Sequence, residues 1–190
     1  DDKQPKHSGY DAPRWLVKTS TSDTLYLAAE NGKCAAVALH VIPEAEKLSD
    51  GAPYYKVSPL EESDALAAMF TLHARRSEFP EETCVLTVTR FGMIKKSLIS
   101  ELPGPSAQTF TLARVNEGDR LGWVGLTDGL KKDVLLVTSQ GMAIRFKEDD
   151  VRPMGLVAAG VNGIKLDDSD ELVGAEILPA EGEILLMTSD

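Results

Sequence analysis

An all-β fold built of propeller-type blades is what the sequence predicts, and three observations predict it. Val85-Leu86-Thr87-Val88-Thr89-Arg90-Phe91-Gly92-Met93 returns as Val134-Leu135-Leu136-Val137-Thr138-Ser139-Gln140-Gly141-Met142, with six of nine positions identical at a shift of 49. A second element travels with it. Asp64-Ala65-Leu66, Asp119-Arg120-Leu121 and Asp170-Glu171-Leu172 each follow an apolar residue four positions before the aspartate: Leu60, Val115 and Leu166. No stretch carries an amphipathic-helix period, since residues 44–48 and 61–69 are too short or fall on the strand frame. A unit that returns about every fifty residues is an array of supersecondary elements, each needing its neighbours to bury its apolar face.

Taken in order, residues 1–14 are expected as a flexible tail and 15–190 as a fragment of one domain. Residues 15–20 sit where the fourth strand of a preceding blade belongs. The first strands are 25–27, 85–89 and 134–138, each running into a glycine: Gly32, Gly92 and Gly141. A glycine just past a short apolar run signals a hairpin, because the turn needs a positive φ. Second strands follow at 34–41, 93–99 and 142–146. Third strands follow at 54–57, 109–115 and 163–166, and the Asp-x-Leu element opens fourth strands at 66–72, 121–126 and 172–178. The repeats therefore run over about 23–72, 83–127 and 133–178. Residues 184–188 copy the first strand, so a further repeat starts at 183–190. The predicted architecture is about three four-stranded blades plus single strands of two neighbouring blades. Closed propellers need roughly four to eight blades, so this is an arc.

The bulk properties narrow the function classes. The chain has 190 residues, 43% of them hydrophobic, which suits one globular domain and argues against disorder. No apolar run approaches the ~20 residues that span a bilayer. The chain opens Asp1-Asp2-Lys3-Gln4, with neither a Met nor an apolar leader, which points to an excised or processed segment of a cytoplasmic protein. The two cysteines, Cys34 and Cys84, fit no metal spacing and read as reduced, half-buried thiols. The histidines His7, His40 and His73 share no metal spacing either. No nucleophile–base arrangement is suggested by spacing, and the three Asp-x-Leu aspartates read as turn residues that accept backbone N–H bonds. No catalytic residue, metal or cofactor is therefore expected. Net charge is −10, which lowers the expectation of tight nucleic-acid binding without excluding a basic stripe.

Such a stripe is present. Arg145, Lys147, Arg152 and Lys165 are spread over one unit, Arg90, Lys95 and Lys96 take similar places in the unit before, and Lys131 and Lys132 lie in the linking loop. These side chains read either as a track along a phosphate backbone or as solvated strand ends paired with Glu148, Asp149 and Asp150. Arg152, beside Pro153, is either a clamp on loop carbonyls or a phosphate contact. Trp15 and Trp123 either stack on bases or cover core.

The stretch from Leu136 through Ser139-Gln140-Gly141-Met142-Ala143-Ile144-Arg145-Phe146 leads into Asp149-Asp150-Val151-Arg152-Pro153-Met154-Gly155 and on through Ala159-Gly160-Val161-Asn162-Gly163-Ile164-Lys165-Leu166. It closely resembles the C-terminal domain of the A subunit of DNA gyrase and of its topoisomerase IV relative. The match is specific over 133–178, and a weaker likeness, including Val41-Ile42-Pro43-Glu44-Ala45, covers nearly the whole chain. The resemblance implies a β-pinwheel, a propeller-like wheel whose neighbouring blades exchange strands. It also implies a non-catalytic part of an ATP-dependent type II topoisomerase of the bacterial cytoplasm and nucleoid, wrapping double-stranded DNA around a basic rim. ATP and Mg would act in other parts of that enzyme. The partners it implies are DNA, the remaining blades and the rest of the topoisomerase. Unpaired strand edges add self-association. The family's glycine- and arginine-rich box does not occur in the chain, and Leu156 and Asn162 stand where the family usually has basic residues. The rim would consist of Arg90, Lys95, Lys96, Lys132, Arg145, Lys147, Arg152 and Lys165. On this reading, changing Lys95, Lys96, Arg145 and Lys147 to Glu abolishes binding without unfolding, and Arg at Leu156 strengthens it. The competing reading is an acidic propeller-type protein-interaction module that does not wrap DNA.

Overall fold

A computed structural model describes residues 14–47, 50–129 and 132–179. Three antiparallel sheets follow one another along the chain. The first strand of each unit is β1 (Thr24–Ala29), β4 (Cys84–Thr89) or β8 (Asp133–Thr138). Each turns back into β2 (Lys33–Ala38), β5 (Met93–Leu98) or β9 (Ala143–Lys147). The long returning strands are β3 (Leu66–Leu72), β7 (Leu121–Thr127) and β11 (Leu172–Leu178). The hairpins turn where the repeat placed them, at Gly32, Gly92 and Gly141, with φ of 84°, 84° and 81°.

The remaining strands belong to neighbours. The two-residue β6 (Phe110–Thr111) pairs with β2 of the preceding unit, and β10 (Val161–Asn162) pairs with β5. The sheet orders are therefore β3-β1-β2-β6, β10-β5-β4-β7 and β11-β8-β9. This is the strand exchange that the resemblance implies, and the fold is all-β and propeller-like. It corrects the sequence reading in detail. The third strand expected at 109–115 shrinks to two residues, and the one expected at 163–166 does not form, the two-residue β10 standing just before that span. The one expected at 54–57 is instead a single helical turn, α1 (Tyr54–Val57). An exchanged strand has no hairpin partner of its own. It exists only against the sheet it joins, and no described sheet precedes the first unit. Residues 15–20 form no strand either. Asp23 gathers the Ser20 N–H (2.9 Å) and the Thr19 hydroxyl (2.9 Å) into a turn just before β1. The further strand expected at 184–188 lies outside the described residues, as do Lys131 and the expected tail over 1–13.

The cores lie between blades. Val85 on β4 points back to a cluster with Tyr26, Phe70, Leu72 and Leu112, whereas Leu86 and Val88 point forward to Val134, Leu136 and Leu172. Alternate residues of one strand thus serve two seams. This is why all six residues of β4 are buried. A third cluster, Leu27, Ala29, Ala35, Val37 and Leu60, with Leu25, Tyr54 and Met69 packed against it, covers the outer face of the first blade.

Backbone bonds chain the units together. The Glu30 carbonyl accepts the Leu121 N–H (2.7 Å) and the Arg90 carbonyl accepts the Leu172 N–H (2.8 Å). The turn-glycine carbonyls do the same: Gly32 accepts from Leu112 (2.9 Å) and Gly92 from Gly163 (2.8 Å).

The Asp-x-Leu aspartates brace the hairpin tips. Asp119 accepts the Phe91 N–H (3.0 Å), Asp170 accepts the Gln140 N–H (3.1 Å) and Asp64 accepts the Asn31 side-chain amide (2.7 Å). The Glu61 N–H is the main influence holding the Asp64 carboxyl below its usual value. For Asp170, burial raises the pKa, but hydrogen bonds from Thr138, Ser139 and the backbone outweigh it and the net direction is down. A carboxylate with a lowered folded pKa contributes stability that is complete above the ordinary value of 3.8 and is lost as pH falls through that value and below. Thermal melts on the acid side should therefore show a falling midpoint in the native chain and a flatter profile for Asp64→Asn and Asp170→Asn. Parallel profiles would show that these carboxylates do not carry the acid sensitivity.

Candidate nucleic-acid interface

The eight basic residues expected on one rim divide into three groups. Lys95 and Lys96 are not on a rim at all: they are 1% and 6% exposed. Lys95 Nζ donates to the carbonyls of Leu112 (2.5 Å), Leu156 (2.5 Å) and Gly155 (3.5 Å), which joins the second unit to the loop of the third. Burial pushes its pKa down to about 8, while nearby Glu101 raises it. Lys96 Nζ donates to the Glu148 carbonyl (3.1 Å). Strand exchange is the physical reason for the correction: β10 pairs along the edge of β5, and the segments around the exchanged strands meet Lys95 on one face, at the Leu112, Gly155 and Leu156 carbonyls, and Lys96 on the other, at the Glu148 carbonyl.

A second group is exposed or half-exposed but engaged. Arg145 (66% exposed) and Lys147 (63%) both reach Asp133, and these bonds, Lys147 first, hold the Asp133 carboxyl below its usual value. Lys132 pairs with Asp128 at 3.1 Å. Arg90 lies over the Trp123 ring at 4.8 Å and donates to the Leu172 carbonyl (3.1 Å). It is a clamp between the second and third blades, and it takes up one face of the tryptophan that was a candidate for base stacking. Trp15 is covered likewise by Arg14, 4.4 Å from the ring centroid.

The third group is exposed and free. Arg152 and Lys165 make no hydrogen bond or ion pair among the described residues. Arg114 belongs with them and was missed. Its backbone N–H bonds Ala158, and its exposed guanidinium has no described partner. The repeat held the signal: Arg114 precedes Val115 as Lys165 precedes Leu166, so the two cations recur at one position of successive units. The other exposed cation near this region, Arg120, is paired with Glu171 at 3.2 Å.

Two more expectations change. Leu156 packs against the core between the first two blades, so arginine there would not simply add charge to a rim. Cys34 and Cys84 are buried outright, not half-buried, and burial raises both thiol pKa values. Among the described residues no three His, Cys, Asp or Glu side chains gather as a metal site, and no helix is long and apolar enough to cross a membrane.

Residues 85–121 and 132–179 match the family model described as the DNA gyrase C-terminal domain, β-propeller. The A subunit of DNA gyrase from Klebsiella oxytoca is 34% identical over 175 residues, covering 92% of this chain and 19% of that protein. Its counterpart from Salmonella typhimurium is 33% identical over the same shares. The chain thus spans about a fifth of the length of these relatives, at 19%. Among solved structures, the C-terminal domain of DNA topoisomerase IV superposes with a TM-score of 0.74 at 26% identity, covering 84% of this chain and 48% of that one.

Proposed function

The chain belongs to the family of C-terminal domains found in the A subunit of DNA gyrase and in topoisomerase IV, and from that premise we propose that it holds a segment of double-stranded DNA against its blades as a non-catalytic part of a type II topoisomerase. The parent would be an ATP-driven enzyme of the bacterial cytoplasm, working at the nucleoid. The observation that carries the reading to particular residues is the recurrence of free, exposed cations: Arg114 and Lys165 at one repeat position, with Arg152 in the loop between β9 and β10. Unpaired cations can neutralise phosphates directly, whereas Arg145, Lys147 and Lys132 must first leave Asp133 and Asp128. Lys95, Lys96 and Arg90 act by holding the blades that present the others. Such contacts position a duplex without reading its sequence.

Binding is expected to be sequence-tolerant and weak, on the order of 10⁻⁴ to 10⁻⁶ M at physiological salt. The combined Arg114→Glu, Arg152→Glu, Lys165→Glu variant should bind duplex DNA at least about tenfold more weakly, and its log–log salt slope should shrink by about 0.9 for each phosphate no longer neutralised. Fluorescence anisotropy over a salt series measures both. An unchanged slope would favour the acidic protein-interaction module, a reading supported by the −10 net charge and by the pairing of Lys132, Arg145 and Lys147 with carboxylates.

A further inference from the structure

We propose that Val157 is an apolar wedge that enters the minor groove of duplex DNA and bends it over the second blade. Residues 156–161 read Leu-Val-Ala-Ala-Gly-Val, six in a row without a polar side chain. They belong to the passage from β9 to β10, which runs along β5 at the edge of the second blade. Val157 is 72% exposed and Val161 44%. The second blade has a neighbour on each side, so this exposure is not that of a chain end. The matching passage over the first blade is open as well, since Ala107 and Gln108 are exposed. The two passages are anchored alike: the Ser106 N–H donates to the Ala36 carbonyl (3.1 Å) and the Met154 N–H to the Lys96 carbonyl (2.8 Å). Four steps lead from Ser106 to Phe110 and seven from Met154 to Val161, so the second passage has three residues more, and the added length is apolar.

That added length forms a turn held on both sides. The Ala158 N–H donates to the Gly155 carbonyl (3.0 Å), which puts Leu156 and Val157 at the corners of the turn. Leu156 packs inward on the core between the first two blades, and Lys95 Nζ donates to its carbonyl (2.5 Å). The Arg114 N–H donates to the Ala158 carbonyl (3.2 Å). Gly160, with φ of 99°, lies so close to β5 that a Cβ there would stand 2.4 Å from the Ile94 carbonyl oxygen. Val157 is therefore carried outward at the apex of a fixed turn, a place where Asn, Asp, Gly or Ser is usual. A single exposed valine needs no explanation, but an apolar run rimmed by charge marks a contact surface. Free cations stand around this one: Arg114 beside Ala158, Arg152 before the turn and Lys165 after β10. A convex apolar apex among cations fits a concave polyanion. The minor groove is one, about 6 Å wide and walled by sugars and phosphates. Proteins that bend DNA insert apolar side chains there and partly unstack a base step, at a cost that the wider contact with the bent duplex offsets. This role rests on the DNA-holding reading, and it gives Val157 the shaping of the duplex while the cations neutralise it.

Energy transfer between dyes at the two ends of a short duplex, read at low salt and saturating protein, tests the wedge, and anisotropy on the same samples reports binding. The native chain should raise the transfer above that of the naked duplex. It should also bind a duplex with a central mismatch, whose step is already loosened, about tenfold more tightly than a perfect one. Val157→Asn keeps a residue that suits the turn and removes no cation, so circular dichroism and the salt slope should not change. Its rise in transfer should fall by at least about half, and its mismatch preference to about twofold or less. Val157→Ile should keep both at the native level. Filling the minor groove beforehand with an aromatic diamidine should abolish the rise. Native binding without added transfer overturns the wedge and leaves the DNA-holding reading standing. A Val157→Asn chain that bends DNA as the native one does, or a rise that survives the diamidine, has the same consequence. A native chain that binds no duplex overturns both, and the apolar run then belongs to a protein contact.

Discussion

Gly32→Ala is expected to destabilise the chain by about 3–5 kcal/mol, while the same change at Gly141 costs only about 1 kcal/mol. The two residues hold the same turn position with nearly the same φ, 84° and 81°. Both substitutions incur the left-handed strain of a side chain. At Gly32 the new Cβ would stand 2.0 Å from the Ala113 carbonyl oxygen and 3.0 Å from the Val115 side chain. Relief requires the second unit to back away. That stretches the Leu112 N–H bond to Gly32 (2.9 Å) and opens the cluster holding Tyr26 and Leu112. At Gly141 nothing lies within 4 Å. Chemical denaturation measures both costs. Equal values would mean that the close approach at Gly32 relaxes freely and does not hold the seam.

Lys95→Glu is expected to cost more than about 3 kcal/mol, because it leaves an uncompensated charge in a buried seam. At about 2–4 °C per kcal/mol for a chain of this size, the melting temperature should fall by about 10 °C. The carboxylate would face the carbonyls of Leu112 and Leu156, which now accept from the ammonium, and would add to the negative charge of Glu101. Lys95→Met keeps the apolar stem and removes the donor, so a loss of about 2 kcal/mol is expected from the two orphaned carbonyls. Arg145→Glu, at a side chain 66% exposed, should change stability by less than about 1 kcal/mol. If Lys95→Glu melts with the native chain, the ammonium is not part of the seam. A variant that changes Lys95, Lys96, Arg145 and Lys147 together would mix unfolding with weakened DNA binding. Arg114, Arg152 and Lys165 are the cleaner probes.

The sequence alone determined what is local or repeated. The hairpins at Gly32, Gly92 and Gly141 were legible because a positive φ after a short β-branched run leaves few alternatives. The long returning strands, Leu66–Leu72 and Leu172–Leu178, were legible because the Asp-x-Leu element marks their starts, and so was the family. Tertiary structure decided what depends on a neighbour. Residues 110–111 and 161–162 are strands only because β2 and β5 accept them, and residues 54–57, with no such acceptor, turn into a helix. The same cause sorted the cations. Lys95 and Arg145 stand on equivalent hairpin strands, one covered by an exchanged strand and the other open. A lysine's charge is visible in a sequence. Whether it meets water or a carbonyl depends on what the next blade lays over it, and that contact joins residues some fifty or sixty positions apart, such as Lys95 and Leu156.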